Sequence, residues 1–285
     1  MKFSLFKTLW GHNDSIASGA LLAQEAGFQG IEAPASINPD IFNQLANALD
    51  EYQLDYICEI CTAGSYVPDR HATPEEHLAD LDRKIKHAKS LNPRFYNVMG
   101  GCDAWPLAVQ IDFFKRAQEV ADKNEVICSF ETHRGRSFFN PWVTRDVLEQ
   151  LPDLRITCDF SHWVVVCERL MDSEWDIILQ AAQQAHHVHG RVGYDQGPQV
   201  PHPAAPEYAE ALASHERCWQ AIWAAQKNRG YDTTTMTPEF GPDGYLHCLP
   251  FTNAPVADLW EVNRWIGDRQ RNNFEQWATS SNNTR

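Results

Sequence analysis

Short apolar runs recur along the chain, separated by segments in which apolar residues fall three and four apart. Eight of the runs read as strands: Phe3–Lys7, Gly30–Ala33, Tyr56–Cys61, Phe95–Met99, Val126–Glu131, Arg155–Phe160, His187–Arg191 and Thr235–Phe240. Between them, Ile41, Leu45, Ala48 and Tyr52, and again Leu78, Leu81, Ile85 and Ala88, keep the period of an amphipathic helix. The punctuation agrees. Thr73-Pro74-Glu75-Glu76 is a capping box with proline at the first helical position. Gly27 and Gly230 follow the helical segments Ser15–Ala26 and Pro206–Arg229, where a left-handed residue ends a helix. A last helix is expected over Val256–Asp268, followed by a polar tail from Asn272 that frays.

Eight strands, each followed by a helical segment, within 285 residues predict an α/β fold, a single (β/α)8 TIM barrel. The barrel is expected over residues 1–271, with 272–285 as a polar C-terminal tail. An open doubly wound sheet would need a glycine-rich phosphate turn after the first strand, and "KTLWGHND" offers none. One long irregular stretch, Val192–Ala205, is rich in Gly and Pro, the kind of loop that is functional or mobile.

Composition narrows the partners. A hydrophobic content of 43% with ten tryptophans belongs to a globular chain. The net charge of −14 argues against nucleic acid, whose binding rests on neutralising phosphates. No run approaches the roughly 18 apolar residues of a membrane span, and "MKFSLFKTLWGHND" is too short and polar for a signal peptide. The eight cysteines lie scattered, mostly in strand-like runs, as reduced cysteines do. Cys58 and Cys61 form a C-x-x-C, but on a strand they face opposite sides and so read as packing. These features predict a cytoplasmic protein with a small-molecule substrate, no nucleic-acid partner and no membrane; a homo-oligomer stays open.

The chemistry gathers where the late strands end, which in such a barrel is the active-site face. The fifth strand runs into "ETHRGR" (Glu131, His133, Arg134, Arg136), the sixth into "CDFSHW" (Asp159, His162), the seventh carries His187 and His189, and the eighth runs into Glu239. Glu131 to Asp159 spans 28 residues and Asp159 to His189 spans 30, one strand–helix unit each; the 50 to Glu239 is a unit lengthened by the long loop. Taken singly, a strand-end Glu can cap a loop and a lone His can be a satisfied core group. Together, two Glu, one Asp and one His form an oxygen/nitrogen set suited to one divalent ion, Mn²⁺, Mg²⁺, Co²⁺ or Zn²⁺. A buried carboxylate such as Asp159 needs positive charge beside it, and the ion is expected to supply it. His187 shares a strand face with His189 and is expected to pack or to support the ligands. Trp10, His12, Glu32, Glu59, His71, Trp105 and Trp163 are weaker candidates for which packing or solvation is the plainer role.

With "EAGFQGIEAP", "ETH", "CDFSHW", "HVHGR" and "PEF" in this order and spacing, nearly the whole chain resembles the xylose-isomerase-like barrel superfamily of sugar isomerases and epimerases, which also holds the endonuclease-IV-type repair enzymes. The resemblance implies one metal on Glu131, Asp159, His189 and Glu239, with His162 at a substrate oxygen and with Glu131 and Glu239 moving protons on opposite faces of the substrate. A hydroxy-carbonyl compound that chelates a divalent ion has an acidified C–H, and a Lewis acid stabilises the enediolate left by its removal. The expected activity is therefore a metal-dependent sugar isomerase or epimerase. A dehydratase or lyase of a cyclic polyol or hydroxy acid is the alternative, since it shares the first proton abstraction. An endonuclease-IV-type nuclease, which uses three ions, and a non-catalytic sugar-binding barrel rank below these. Two positions depart from the ketose epimerases: Asp195 stands where they tend to have an arginine and Ser137 where they often have a glutamate, so the grip on substrate differs. Arg134 and Arg191, with His133 and His162, are the expected substrate-binding residues, the arginines being suited to a carboxylate or phosphate.

Overall fold

The computed structural model describes residues 1–242 and 244–280. Its eight parallel strands are β1 (Lys2–Thr8), β2 (Gly30–Pro34), β3 (Asp55–Cys61), β4 (Phe95–Met99), β5 (Cys128–Glu131), β6 (Ile156–Cys158), β7 (Ala185–His189) and β8 (Thr233–Thr237), each paired with its sequence neighbours. β1 pairs with β8, and the barrel is closed. The helices are α1 (Ile16–Glu25), α2 (Pro39–Glu51), α3 (Pro74–Ala88), α4 (Leu107–Asn124), α5 (Pro141–Gln150), α6 (Phe160–Cys167), α7 (Trp175–Gln184), α8 (Ala209–Asn228) and α9 (Leu259–Ser280). Among the described residues, no helix is long and apolar enough to cross a membrane.

Alternation along the strands decides what faces the lumen. Leu5, Ile31, Tyr56, Cys58, Val98, Phe130, Ile156, Cys158, Val188 and Met236 belong to the large buried cluster shared with the helices. Phe6, Ile57 and Phe95 form a separate buried cluster, with the His187 ring 5.2 Å from that of Phe95. Burying side chains of this size contributes about 1.5–3 kcal/mol each, so the floor of the lumen is a packed plug. Glu59 and Asn97 come one pleat higher on β3 and β4, and Glu32, Glu131 and His189 lie near the C-terminal ends of β2, β5 and β7. The register sets them side by side, Glu59 opposite Asn97 and His189 opposite Thr237.

The helix caps fall where the sequence puts them. Thr73 Oγ1 accepts from Glu76 N at 3.3 Å while Glu76 Oε2 accepts from Thr73 N at 2.7 Å, and Gly27 and Gly230 take φ of +67° and +79°. Four strands shift by two residues or more at a boundary, β5 by beginning at Cys128. β8 stops at Thr237 because Pro238 has no N–H for the ladder, which leaves Glu239 in the following loop. β7 begins and ends two residues early, since α7 gives way directly to extended backbone at Ala185. β6 ends at Cys158 because the Asp159 side chain accepts from Ser161 N at 3.0 Å and caps α6.

The expected frayed tail is corrected over 272–280, which continues α9. Phe274 stacks on Phe3 at 5.2 Å and meets Trp223 at 5.2 Å, while Trp277 packs on Trp223 at 5.8 Å. Two aromatics one helical turn apart outweigh the polar character of the segment. Residues 281–285 of the expected tail lie outside the described residues. The long loop after β7 is fastened rather than free: buried Gln199 accepts from Gly241 N at 2.8 Å and donates to Gly241 O at 3.2 Å.

Candidate metal centre and cavity

β5, the α6 cap, β7 and the loop after β8 bring Glu131, Asp159, His189 and Glu239 together. One ligand atom from each lies within 4.8 Å of the others, and all four residues are buried. His189 Nδ1 is 2.9 Å from Glu239 Oε2 and 3.6 Å from Glu131 Oε1, yet it has no hydrogen-bond partner in line. The opposite nitrogen, Nε2, lies 3.0 Å from Glu32 Oε1. A carboxylate has no proton to give, so Nε2 carries a hydrogen towards Glu32 and Nδ1 is the nitrogen that faces the cluster. Asn97 Nδ2 approaches Nε2 at 3.3 Å, but its better partner is Glu131 Oε2 at 2.9 Å.

The cluster is strongly anionic. Burial disfavours the His189 imidazolium, but the carboxylates of Glu239, Glu32 and Glu131 reverse this and hold its pKa well above the ordinary value. Burial raises the Glu131 pKa, with His189 opposing and Glu239 and Asp159 adding to the rise. Three carboxylates and an imidazole nitrogen whose proton a cation would displace make a donor set that a hard or borderline divalent cation fits.

Asp159 meets a different positive charge from the one expected. The Arg191 guanidinium contacts Asp159 Oδ2 and also donates to Ser161 Oγ at 3.0 Å, Glu239 O at 3.3 Å and His162 Nε2 at 2.7 Å. Fully buried, it lies 4.7 Å from the Tyr245 ring centroid and 5.8 Å from that of Trp10. Arg191 is thus engaged by the protein's own groups rather than free for an anionic substrate. The spacing of Asp159 and His162 is also explained: a helix cap and the residue one turn on share a face, and His162 Nε2 is 3.6 Å from Asp159 Oδ2.

Above the cluster opens a cavity of about 230 Å³. Glu131, His133, Arg191 and Glu239 line it, with Glu59, Cys61, Ser65 and Met99, and with Trp10, Tyr66 and Tyr245 as aromatic walls. Among the expected substrate residues, His133 and Arg191 reach this cavity. His162 does not line it and packs against His133, ring centroids 4.0 Å apart. Half-buried Arg134 lies over the Tyr245 ring at 4.9 Å. Arg136 points away and is wholly buried, donating to the carbonyls of Thr62 (2.7 Å), Tyr66 (3.1 Å), Gly101 (3.3 Å) and Ser65.

Of the weaker candidates, Trp10 and Glu59 line the cavity and Glu32 braces His189. His12 instead bonds Ser15 O and Ser18 Oγ beside α1, Trp105 packs on His77 and Phe113, Trp163 donates to Phe138 O from the core, and His71 is exposed. Sequence reasoning missed Tyr66 and Tyr245, which sit in irregular loops with no periodic signal. Glu59 is notable among the cavity carboxyls. Burial, reinforced by Glu239, Glu32 and Glu131, pushes its pKa up to about 8.

The model of the xylose isomerase-like TIM barrel family matches residues 20–243. The chain belongs to that family. No curated protein matches it by sequence. Among solved structures it is similar to L-ribulose 3-epimerase (14% identity, TM-score 0.65, covering 100% of this chain and 98% of that one). It is similar also to the probable 3-DHS dehydratase AsbF from Bacillus anthracis (16% identity, TM-score 0.60, 93% and 98%). A third is a xylose isomerase-like TIM barrel protein from Mycobacterium smegmatis in complex with magnesium (12% identity, TM-score 0.62, 92% and 95%). At these identities each likeness is one of fold.

Proposed function

We propose that this chain is a cytoplasmic, divalent-metal-dependent isomerase or epimerase of a sugar or related hydroxy-carbonyl compound, with Glu131, Asp159, His189 and Glu239 as the metal ligands. The observation that carries this reading is the convergence of three carboxylates on a buried imidazole nitrogen that no protein hydrogen bond satisfies. A bound divalent ion would supply Lewis-acid stabilisation of the negative charge that develops on the substrate oxygens. Glu131 and Glu239 enter the cavity from β5 and from the loop after β8. One, as a carboxylate, takes the proton next to the substrate carbonyl, leaving an enediolate, and the other, as a carboxylic acid, gives one back from the opposite face. Return to the same carbon gives epimerisation, and return to its neighbour gives aldose–ketose isomerisation. Trp10, Tyr66 and Tyr245 offer flat faces for the C–H side of a sugar, and His133 offers a hydrogen bond inside the cavity.

The alternative, a dehydratase, is favoured by one specific observation. Glu59 is a third carboxyl in the cavity, and up to about pH 8 it carries a proton. Expulsion of a β-hydroxyl needs a proton donor to make water of the leaving group, and a neutral carboxylic acid supplies one.

Elemental analysis of the purified protein, followed by a solvent-deuterium exchange screen over ketoses, keto-acids and inososes, tests both. One equivalent of divalent metal, and deuterium entering the carbon beside the carbonyl, is the expected result. Exchange accompanied by a chromophoric enone selects the dehydratase. Protein that binds no divalent metal and exchanges no deuterium would end the reading.

A further inference from the structure

We propose that Glu32, on β2, is a positioning residue that fixes the ring of His189 so that Nδ1, and not Nε2, faces the metal. This rests on the metal site proposed above and goes beyond it, because Glu32 is not one of the four ligands. The two carboxylate oxygens have separate duties. Oε1 accepts from His189 Nε2 at 3.0 Å. Oε2 accepts from the Thr237 hydroxyl and lies 3.3 Å from His187 Nε2. His187 is itself held, its Nδ1 2.7 Å from Thr235 Oγ1 and its Nε2 3.0 Å from Thr237 Oγ1.

A carboxylate gripped at one oxygen cannot turn about its own bond, so the other oxygen is fixed in space and the imidazole with it. Metal-bound imidazoles are tuned in this way: an acceptor on the far N–H sets the tautomer and raises the basicity of the ligating nitrogen. Glu32, His187 and His189 also lie close enough to hold an ion among themselves. Both nitrogens of His187 face threonine hydroxyls, however, which leaves no lone pair free for one. Glu32 is entirely buried, and His189 is 157 residues further along the chain. A core carboxylate with these partners has an address in the site and no evident use elsewhere.

Chelator-stripped protein titrated with Co²⁺, read by calorimetry and by the visible spectrum of the bound ion, tests the assignment. Glu32→Gln keeps the shape but offers only one acceptor oxygen where two are in use. It is expected to weaken Co²⁺ binding about 10–100-fold and to change the Co²⁺ spectrum. Thr237→Val frees Oε2 without touching Glu32, and should weaken binding in the same direction by a smaller factor; it also serves if Glu32→Gln does not fold. Both variants binding Co²⁺ within threefold of wild type, with an unchanged spectrum, overturn the proposal even if they melt earlier, since a purely structural role predicts that outcome. Wild-type protein that binds no Co²⁺ overturns the metal site itself, a result distinguishable from the first.

Discussion

The floor and the mouth of the barrel lumen are layers of one closed sheet and its strand ends, and they obey opposite rules. On the floor, Phe6, Ile57 and Phe95 exclude water and polar atoms. At the mouth, Glu59, Glu131, Glu239 and Asp159 crowd like charges together, and burial pushes Glu131, Asp159 and Glu59 towards their protonated forms. The floor gains its stability from packing; the mouth gives stability up in order to hold charge where a cation and a substrate can use it. Substitutions in the two layers should therefore differ in sign as well as in size.

The largest contrast comes from Glu131→Gln. Loss of a proton-transfer group should lower solvent-deuterium exchange by about 10²–10⁴-fold. In the metal-free protein the same change should raise the melting temperature at neutral pH, because an amide has no charge to bury. Exchange at the wild-type rate would remove Glu131 from the chemistry. Phe95→Ala, by contrast, should cost about 3–5 kcal/mol in denaturant unfolding and leave the metal stoichiometry of the folded protein unchanged. A smaller, pH-dependent effect sharpens the comparison. The Glu59 pKa is raised from 4.5 to about 8 on folding, so its stabilising contribution is present below the unfolded pKa and is lost as pH climbs through that window. Glu59→Gln should thus stabilise the metal-free chain progressively from about pH 5 to pH 8, by on the order of 4 kcal/mol at the upper end. A flat difference across that range would show that Glu59 titrates normally.

The fold was legible because strand alternation and helix period are local signals, and eight repeats of one unit leave few architectures. The four clustered residues were legible for a related reason: each lies at or just beyond a strand end, one unit apart, and a closed barrel makes such ends converge. What the sequence hid depends on contacts across the lumen. Glu32 looks like any strand-end glutamate until barrel closure sets it against His189. Arg191 reads as a substrate anchor because Arg near a mouth often is one, and only the folded chain sets it against Asp159. The true length of α9 was masked by polar residues flanking Phe274 and Trp277, whose partners, Phe3 and Trp223, are far away in sequence.

Arg136 carries one more consequence. Its guanidinium, sprung from the loop that follows Glu131, ties down three carbonyls of the segment after β3, the same segment that supplies Tyr66 and Ser65 to the cavity. An aromatic wall and a proton-transferring glutamate are thereby bolted to one bracket. The wall across from it, Tyr245, hangs instead on Arg134 and Arg191, so the two sides of the cavity are anchored independently.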